Sequence, residues 1–159
     1  MKIATVGVHV LDTHVIGIES IPDGSDGQLV ETIRMSPAGT AGGTAVILSR
    51  IGADVRSYGA VGADPIATSL LALLSAEGVD VSGLVVKADH QTSSSVIPVR
   101  PDGDRPAWHC IGANGAFTLD DLDQNAADLK RPDNLKQDVV YNDSLDRYII
   151  GSKISDSYI

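Results

Sequence analysis

Short β-rich runs alternate with helix-like segments through much of this chain, and that order constrains its fold more than any other feature. Residues 3–10 and 55–61 are apolar and β-branched, as in strands that are buried on both faces of a sheet. Residues 44–51 and 65–77 carry apolar side chains at helical spacing instead. Strands that alternate with helices favour a parallel sheet with right-handed crossovers. The pattern predicts an α/β fold.

The boundaries of two helices are marked by their flanking residues. Asp64 is expected to cap the first turn of the second helix, and Gly78 to end that helix in a left-handed conformation. A further strand is predicted over residues 79–86. Residues 118–121, Thr-Leu-Asp-Asp, resemble a capping arrangement that opens an acidic helix ending near residue 129.

Two β-rich excursions interrupt this alternation. The segment 13–35 contains the turn-forming run 22–27, and the segment 91–111 contains Asp102-Gly103, a strong hairpin signal. Hairpins of this kind have to lie off a parallel sheet. We therefore expect the two segments to form a small separate β layer, in the position of a lid.

Two features at the predicted strand ends have the chemistry to bind a ligand. Residues 39–43 lie at the mouth of a helix, where backbone N–H groups can meet hydroxyls or an anion; a tight turn packed against the sheet explains the same glycines equally well. Asp12 follows the first predicted strand, where its carboxylate can accept hydrogen bonds from sugar hydroxyls, although an Asx cap of the next turn is slightly favoured. Neither nucleotide-binding glycine fingerprint is present.

Charge and cysteine content exclude several classes of function. A formal net charge of -9 argues against a nucleic-acid or anionic-membrane partner. His9 and His14 have no partners at metal-ligand spacing, so no metal site is expected. Cys110 is the single cysteine, no apolar run reaches membrane-spanning length, and a cytoplasmic location is predicted.

Residues 36–64 resemble the first signature region of the ribokinase-like (PfkB-type) carbohydrate kinases. The region includes a small-residue loop, a helix that ends Arg50-Ile51-Gly52, and a later Gly59-Ala60-Val61-Gly62-Ala63-Asp64. The likeness covers about residues 3–124 and continues in order through Glu77-Gly78-Val79-Asp80, Thr92, Asp102-Gly103 and Gly112-Ala113-Asn114.

The resemblance implies a fold, a reaction and a substrate site. The fold is the N-terminal half of a Rossmann-type three-layer sheet, spanning about residues 1–127, with the β lid described above. The parent enzyme would use ATP and Mg²⁺ to phosphorylate a sugar or nucleoside hydroxyl, and two copies would pair through the lid. Aligned on the helix end at residues 50–52, the family's sugar-binding asparagine falls on Gly43. The implied substrate-binding residues are Asp12, Gly39, Thr40, Gly42, Gly43 and Asn114.

The family's phosphate-binding and base-bearing Gly-Ala-Gly-Asp segment does not occur in residues 1–159. We therefore assign no catalytic residue, expect no complete site for ATP or Mg²⁺, and expect the chain as given to be catalytically incomplete. Residues 128–159 are either a divergent part of the fold, with 138–141 as the best strand candidate, or sequence foreign to it. The alternatives to a kinase half are a non-catalytic sugar-binding or regulatory module and, as the weakest, a dinucleotide-binding module.

Overall fold

A computed structural model describes residues 2–125, 139–142 and 147–151, which form two β sheets flanked by helices. In chain order the elements are β1 (Lys2–Val6), β2 (Val10–Ile16), β3 (Thr32–Ala38), α1 (Thr40–Arg50), β4 (Asp54–Val61), α2 (Pro65–Ala76), β5 (Asp80–Val86), β6 (Ser94–Val99), β7 (Trp108–Cys110), a 3₁₀ helix (Gly112–Ala116), α3 (Leu119–Asn125), β8 (Val139–Asn142) and β9 (Arg147–Gly151). Among these residues, no helix combines the length and the apolar character needed to cross a bilayer.

The main sheet has the strand order β5-β4-β1-β9-β8, with β8 as its one antiparallel strand among the described residues. Successive residues of β1 point to opposite faces of this sheet. Ile3 joins Leu70 and Leu74 of α2 in one buried cluster, whereas Ala4 packs with Leu122 of α3 in another. Helices therefore cover both faces, and the predicted three-layer α/β architecture is confirmed.

The second sheet has the strand order β3-β2-β6-β7. Strands β2 and β3 form one antiparallel hairpin, β6 and β7 form another, and a parallel pairing of β2 with β6 joins them. Both excursions predicted from the sequence contribute to it, so the fold contains the expected small β sheet beside the main one. Its first hairpin extends from residue 10 to residue 38, beyond the expected limits of 13 and 35.

The first predicted strand is in fact two strands in different sheets. β1 ends at Val6, and the next residue, Gly7, donates its N–H to the Tyr58 carbonyl oxygen of β4 at 3.0 Å. β2 begins at Val10. The prediction of one strand over residues 3–10 was wrong because the apolar residues continue through the crossing between the sheets. Hydrophobicity reports burial there, but it does not report the change of direction.

The helix caps follow the local sequence. The Asp64 carboxylate accepts the N–H of Ala67 at 2.8 Å and caps α2, as predicted. Thr118 and Asp121 cap α3 reciprocally: the N–H of Thr118 donates to the Asp121 carboxylate at 2.8 Å, and the N–H of Asp121 donates to the Thr118 hydroxyl. The predicted end of that helix near residue 129 lies outside the described residues.

Candidate functional site

The start of α1 is held against the crossing between the two sheets. The carbonyl oxygen of Val8 accepts the N–H groups of Ala41 and Gly42 at 3.1 and 3.2 Å. Gly39 makes this approach feasible, since it has φ 85° and a Cβ at its position would lie 2.4 Å from the Val8 oxygen. The Val8 carbonyl oxygen therefore satisfies two N–H groups that have no acceptor within the helix itself.

The glycine-rich segment 39–43 is mostly helix rather than the loop expected from its sequence. α1 begins at Thr40, so Gly42 and Gly43 lie in its first turn, and the N–H of Gly43 donates to the Gly39 carbonyl at 2.8 Å. The N–H groups of residues 41–43 already bond carbonyl oxygens, and of the two interpretations left open by the sequence this favours a tight turn packed against the sheet. Gly43 faces open space: a Cβ there would meet no atom within 4 Å.

His9 fills the junction beneath α1. Its side chain is fully buried, and its Nδ1 donates to the Gly7 carbonyl at 2.9 Å. Gly42 and Gly59 leave room for the ring, since a Cβ would lie 3.3 Å from its Cδ2 at residue 42 and 2.5 Å from its Nδ1 at residue 59. Burial lowers the pKa of His9 from 6.5 to about 4, against the opposing hydrogen bond to Gly7, so the imidazole is neutral at pH 7.

Asn114 ties the 3₁₀ helix to the same junction. Its Oδ1 accepts the N–H of His9 at 3.2 Å, and its Nδ2 donates to the His9 carbonyl at 2.9 Å. Both polar atoms of the side chain thus bond the backbone between β1 and β2. The sequence indicated Asn114 as a substrate ligand; the structure gives it a positioning contact, which no local pattern could have revealed.

Asp12 lies within β2 of the second sheet, and not at the end of a main-sheet strand as expected. It is half-buried and pairs in register with Ser36 on one side and Ser95 on the other. Ser95 in turn pairs with His109, whose Nδ1 lies 3.1 Å from the Ser95 hydroxyl. Residues paired across strands share a face, so one face of this sheet carries a row of two hydroxyls, a carboxylate and an imidazole.

A second polar cluster connects the main sheet to β6. The Asp64 carboxylate accepts the N–H and the hydroxyl of Thr92, both at 2.7 Å, while the Thr92 hydroxyl accepts the N–H of Gly62 at 2.8 Å. Burial opposes the ionisation of Asp64, but hydrogen bonds from Thr92 and Ala67 outweigh it, and the pKa of Asp64 is lowered. Thr92, singled out only as part of a sequence pattern, completes the α2 cap.

The site residues expected from the sequence therefore lie in three places of the fold. Gly39, Gly42 and Asn114 build the junction around residues 7–9. Asp12 stays on the second sheet with its polar row, and Thr40 is exposed at the first position of α1. No group of three or more His, Cys, Asp or Glu side chains in the described part of the chain is placed to hold a metal ion.

Comparison with known proteins gives a consistent family match. The profile of the pfkB family carbohydrate kinases matches residues 3–149, beyond the expected end of the resemblance near residue 124. A fructokinase of Salmonella typhimurium is 30% identical over 112 residues, which cover 69% of this chain and 35% of that protein. A nucleoside kinase of Methanothermobacter thermautotrophicus is 23% identical over 109 residues, with the same two coverages.

Solved structures share the fold. An uncharacterized sugar kinase from Pyrococcus horikoshii, in complex with ATP, superposes with a TM-score of 0.65 at 24% identity, over 79% of this chain and 40% of that one. The chain spans about a third of the length of the two curated relatives, at 35% of each.

Proposed function

Because this chain belongs to the pfkB family of carbohydrate kinases, we propose that it forms the substrate-binding half of an ATP-dependent kinase that phosphorylates a sugar or nucleoside hydroxyl. One observation carries the proposal: Asp12 shares a sheet face with Ser36, Ser95 and His109. A carboxylate flanked by hydroxyls is suited to bind a polyhydroxylated molecule. The fructokinase and nucleoside kinase among the relatives support this substrate class.

The proposal divides binding from positioning. Asp12 accepts hydrogen bonds from substrate hydroxyls, and the exposed Thr40 supplies a further hydroxyl at the start of α1. Gly39, Gly42 and Asn114 act through the backbone, because their contacts fix residues 7–9, where the chain crosses from β1 of the main sheet to β2 of the second sheet. Gly43 adds open space, which allows a bulkier substrate at the cost of one side-chain hydrogen bond.

ATP and Mg²⁺ belong to the parent enzyme in this proposal. Among the described residues, the N–H groups of residues 41–43 are already bonded, and no group of three or more His, Cys, Asp or Glu side chains is placed to hold a metal ion. The roles proposed for this chain therefore concern the sugar or nucleoside alone.

A phosphoryl-transfer assay separates the kinase half from the second candidate, a sugar-binding or regulatory module, which Gly43 favours. Without a Gly-Ala-Gly-Asp segment, we expect the 159-residue chain to show no ATP-dependent turnover over a panel of sugars and nucleosides. Restored turnover on mixing with the C-terminal half of a family member would favour the kinase half. Turnover that copurifies with the chain alone would contradict the proposal that residues 1–159 bind the substrate but do not transfer phosphate.

Substrate titration of an Asp12 variant tests the site itself. We expect Asp12→Ala to weaken binding of fructose, ribose or adenosine by about 10- to 100-fold, since hydrogen bonds to a charged group contribute about 1.5–3 kcal/mol. Asp26→Ala, in the exposed turn of the same sheet, is the matched control and should leave the affinity unchanged. Equal affinities for the two variants, measured by NMR, would leave Asp12 with a structural role.

We also propose that two copies pair through the other face of the second sheet. Met35, Val96 and Trp108 lie in one row with Thr13, and they are 50%, 45% and 58% exposed. This row carries no charge, so two copies can meet there despite the net charge of -9. Sedimentation should show a dimer that Val96→Lys dissociates; an unchanged sedimentation coefficient would refute the interface.

A cytoplasmic location completes the proposal. ATP-dependent phosphorylation of small metabolites requires a supply of ATP, which the cytoplasm provides. Cys110 is exposed and forms no disulfide. An exposed free thiol is stable in a reducing compartment. Fractionation of cells that express the chain would test the assignment.

A further inference from the structure

A cationic and imidazole-bearing row lies next to Asp12 on the same face of the second sheet, and we propose that the substrate is an anionic sugar. Its carboxylate or phosphate group is bound by Arg34 and His14, while its hydroxyls are bound at Asp12. This inference rests on the proposed function, because it names the substrate class of that same site.

The sheet register places the two rows side by side. His14 of β2 pairs with Arg34 of β3, two residues further along each strand than the pair of Asp12 with Ser36. Side chains two residues apart on a strand lie on the same face, about 7 Å apart at 3.3–3.4 Å per residue. A sugar that donates hydroxyls to Asp12 can therefore reach the second row with a group at the far end of its carbon chain.

The charge of Arg34 is not used within the described residues. Arg50, Arg56 and Arg100 each form a salt bridge with a carboxylate, at 2.5–2.6 Å, whereas Arg34 is exposed and has no such bridge in the part of the chain that the structure describes. In a chain of net charge -9, carboxylates are abundant, so an arginine left free on the ligand-binding face is available to a ligand. Its guanidinium suits carboxylate or phosphate oxygens.

His14 supplies the second donor of this row. The residue is half-buried, and its Nδ1 has no hydrogen-bond partner among the described residues. The ring therefore lacks a bond that would fix its orientation from that nitrogen, and it can turn to donate an N–H to an anion held by Arg34. Together, the Arg34 guanidinium and the His14 imidazole offer several N–H donors to an anionic group. An uncharged sugar has no such group to bind there.

Matched pairs of ligands test the inference on the full 159-residue chain. Titrations by NMR would compare glucuronate with glucose, for a carboxylate, and fructose 6-phosphate with fructose, for a phosphate. We expect the anionic member of one pair to bind about 10- to 100-fold more tightly, and the pair that shows the preference identifies the anionic group. Arg34→Gln should abolish the preference and leave the affinity for the uncharged sugar unchanged.

Arg105→Gln is the control, because Arg105 is exposed in the loop between β6 and β7 and also lacks a salt bridge within the described residues. It should retain the preference. Equal affinities within both pairs, or a preference that survives Arg34→Gln, would overturn the anionic substrate while leaving sugar binding at Asp12 intact. If no member of either pair binds, the proposed function and this inference both fail.

Discussion

Acidification should destabilise this protein through one buried side chain, His9. The imidazole is fully buried with a pKa lowered to about 4, whereas in the unfolded chain the pKa returns to 6.5. Between these values the unfolded chain binds a proton that the folded chain does not, so stability is complete above pH 6.5 and falls as the pH drops towards 4. The full difference of about 2.5 pKa units corresponds to about 3 kcal/mol.

Urea unfolding at pH 7.5 and at pH 5.0, followed by circular dichroism, measures this effect. At pH 5.0 the linkage relation gives a loss of about 2 kcal/mol in the free energy of unfolding from His9 alone. His9→Gln keeps a donor for the Gly7 carbonyl but does not titrate. Between pH 7.5 and pH 5.0 its free energy of unfolding should therefore fall by about 2 kcal/mol less than that of the wild type.

His90→Gln provides the control for the same experiment. His90 is exposed, so its replacement should leave the wild-type pH dependence in place. The carboxylates are common to all three proteins, and their contribution therefore cancels in the comparison. Equal losses between the two pH values in wild type and His9→Gln would refute the assignment of the acid sensitivity to this ring.

Glycine substitutions on either side of Thr40 should have opposite signs in thermal unfolding. Gly39→Ala forces a Cβ against the Val8 carbonyl at a positive φ and should cost about 1–3 kcal/mol, whereas Gly43→Ala adds a methyl group in open space within a helix and should stabilise by about 0.5–1 kcal/mol. Equal effects would contradict the geometry of the α1 start. Thr92→Val removes the hydroxyl that donates to the Asp64 carboxylate and accepts the N–H of Gly62, while the bond from the Thr92 N–H to Asp64 remains. We expect a loss of about 1–3 kcal/mol by urea unfolding, because the Gly62 N–H is left without its partner; a neutral result would contradict this role of the hydroxyl.

Local sequence predicts those parts of the fold that local chemistry determines. Asp64 caps α2, and residues 118–121 cap α3, because each bond joins residues three positions apart. The main strands β4 and β5 were predicted to within one residue, since their apolar runs end at polar or glycine residues.

The errors occur where distant residues decide the conformation. The helical start of α1 depends on the Val8 carbonyl, which receives two of its N–H groups, and a glycine-rich run gives no sign of that partner. The placement of Asp12 depends on the crossing at residues 7–9, and this crossing is fixed by Asn114 from the far end of the described fold. Periodicity and turn propensity contain no information about such contacts.

The parallel pairing of β2 with β6 also orders the events of folding. These two strands are the centre of the second sheet, yet β3, α1, β4, α2 and β5 lie between them in the chain. Closing that long loop costs entropy that only a formed main sheet can offset, because it brings the ends of the loop together. The second sheet should therefore acquire hydrogen-exchange protection last, after β1, β4 and β5. A ligand bound on its face, as we propose, would stabilise the part of the molecule that forms latest.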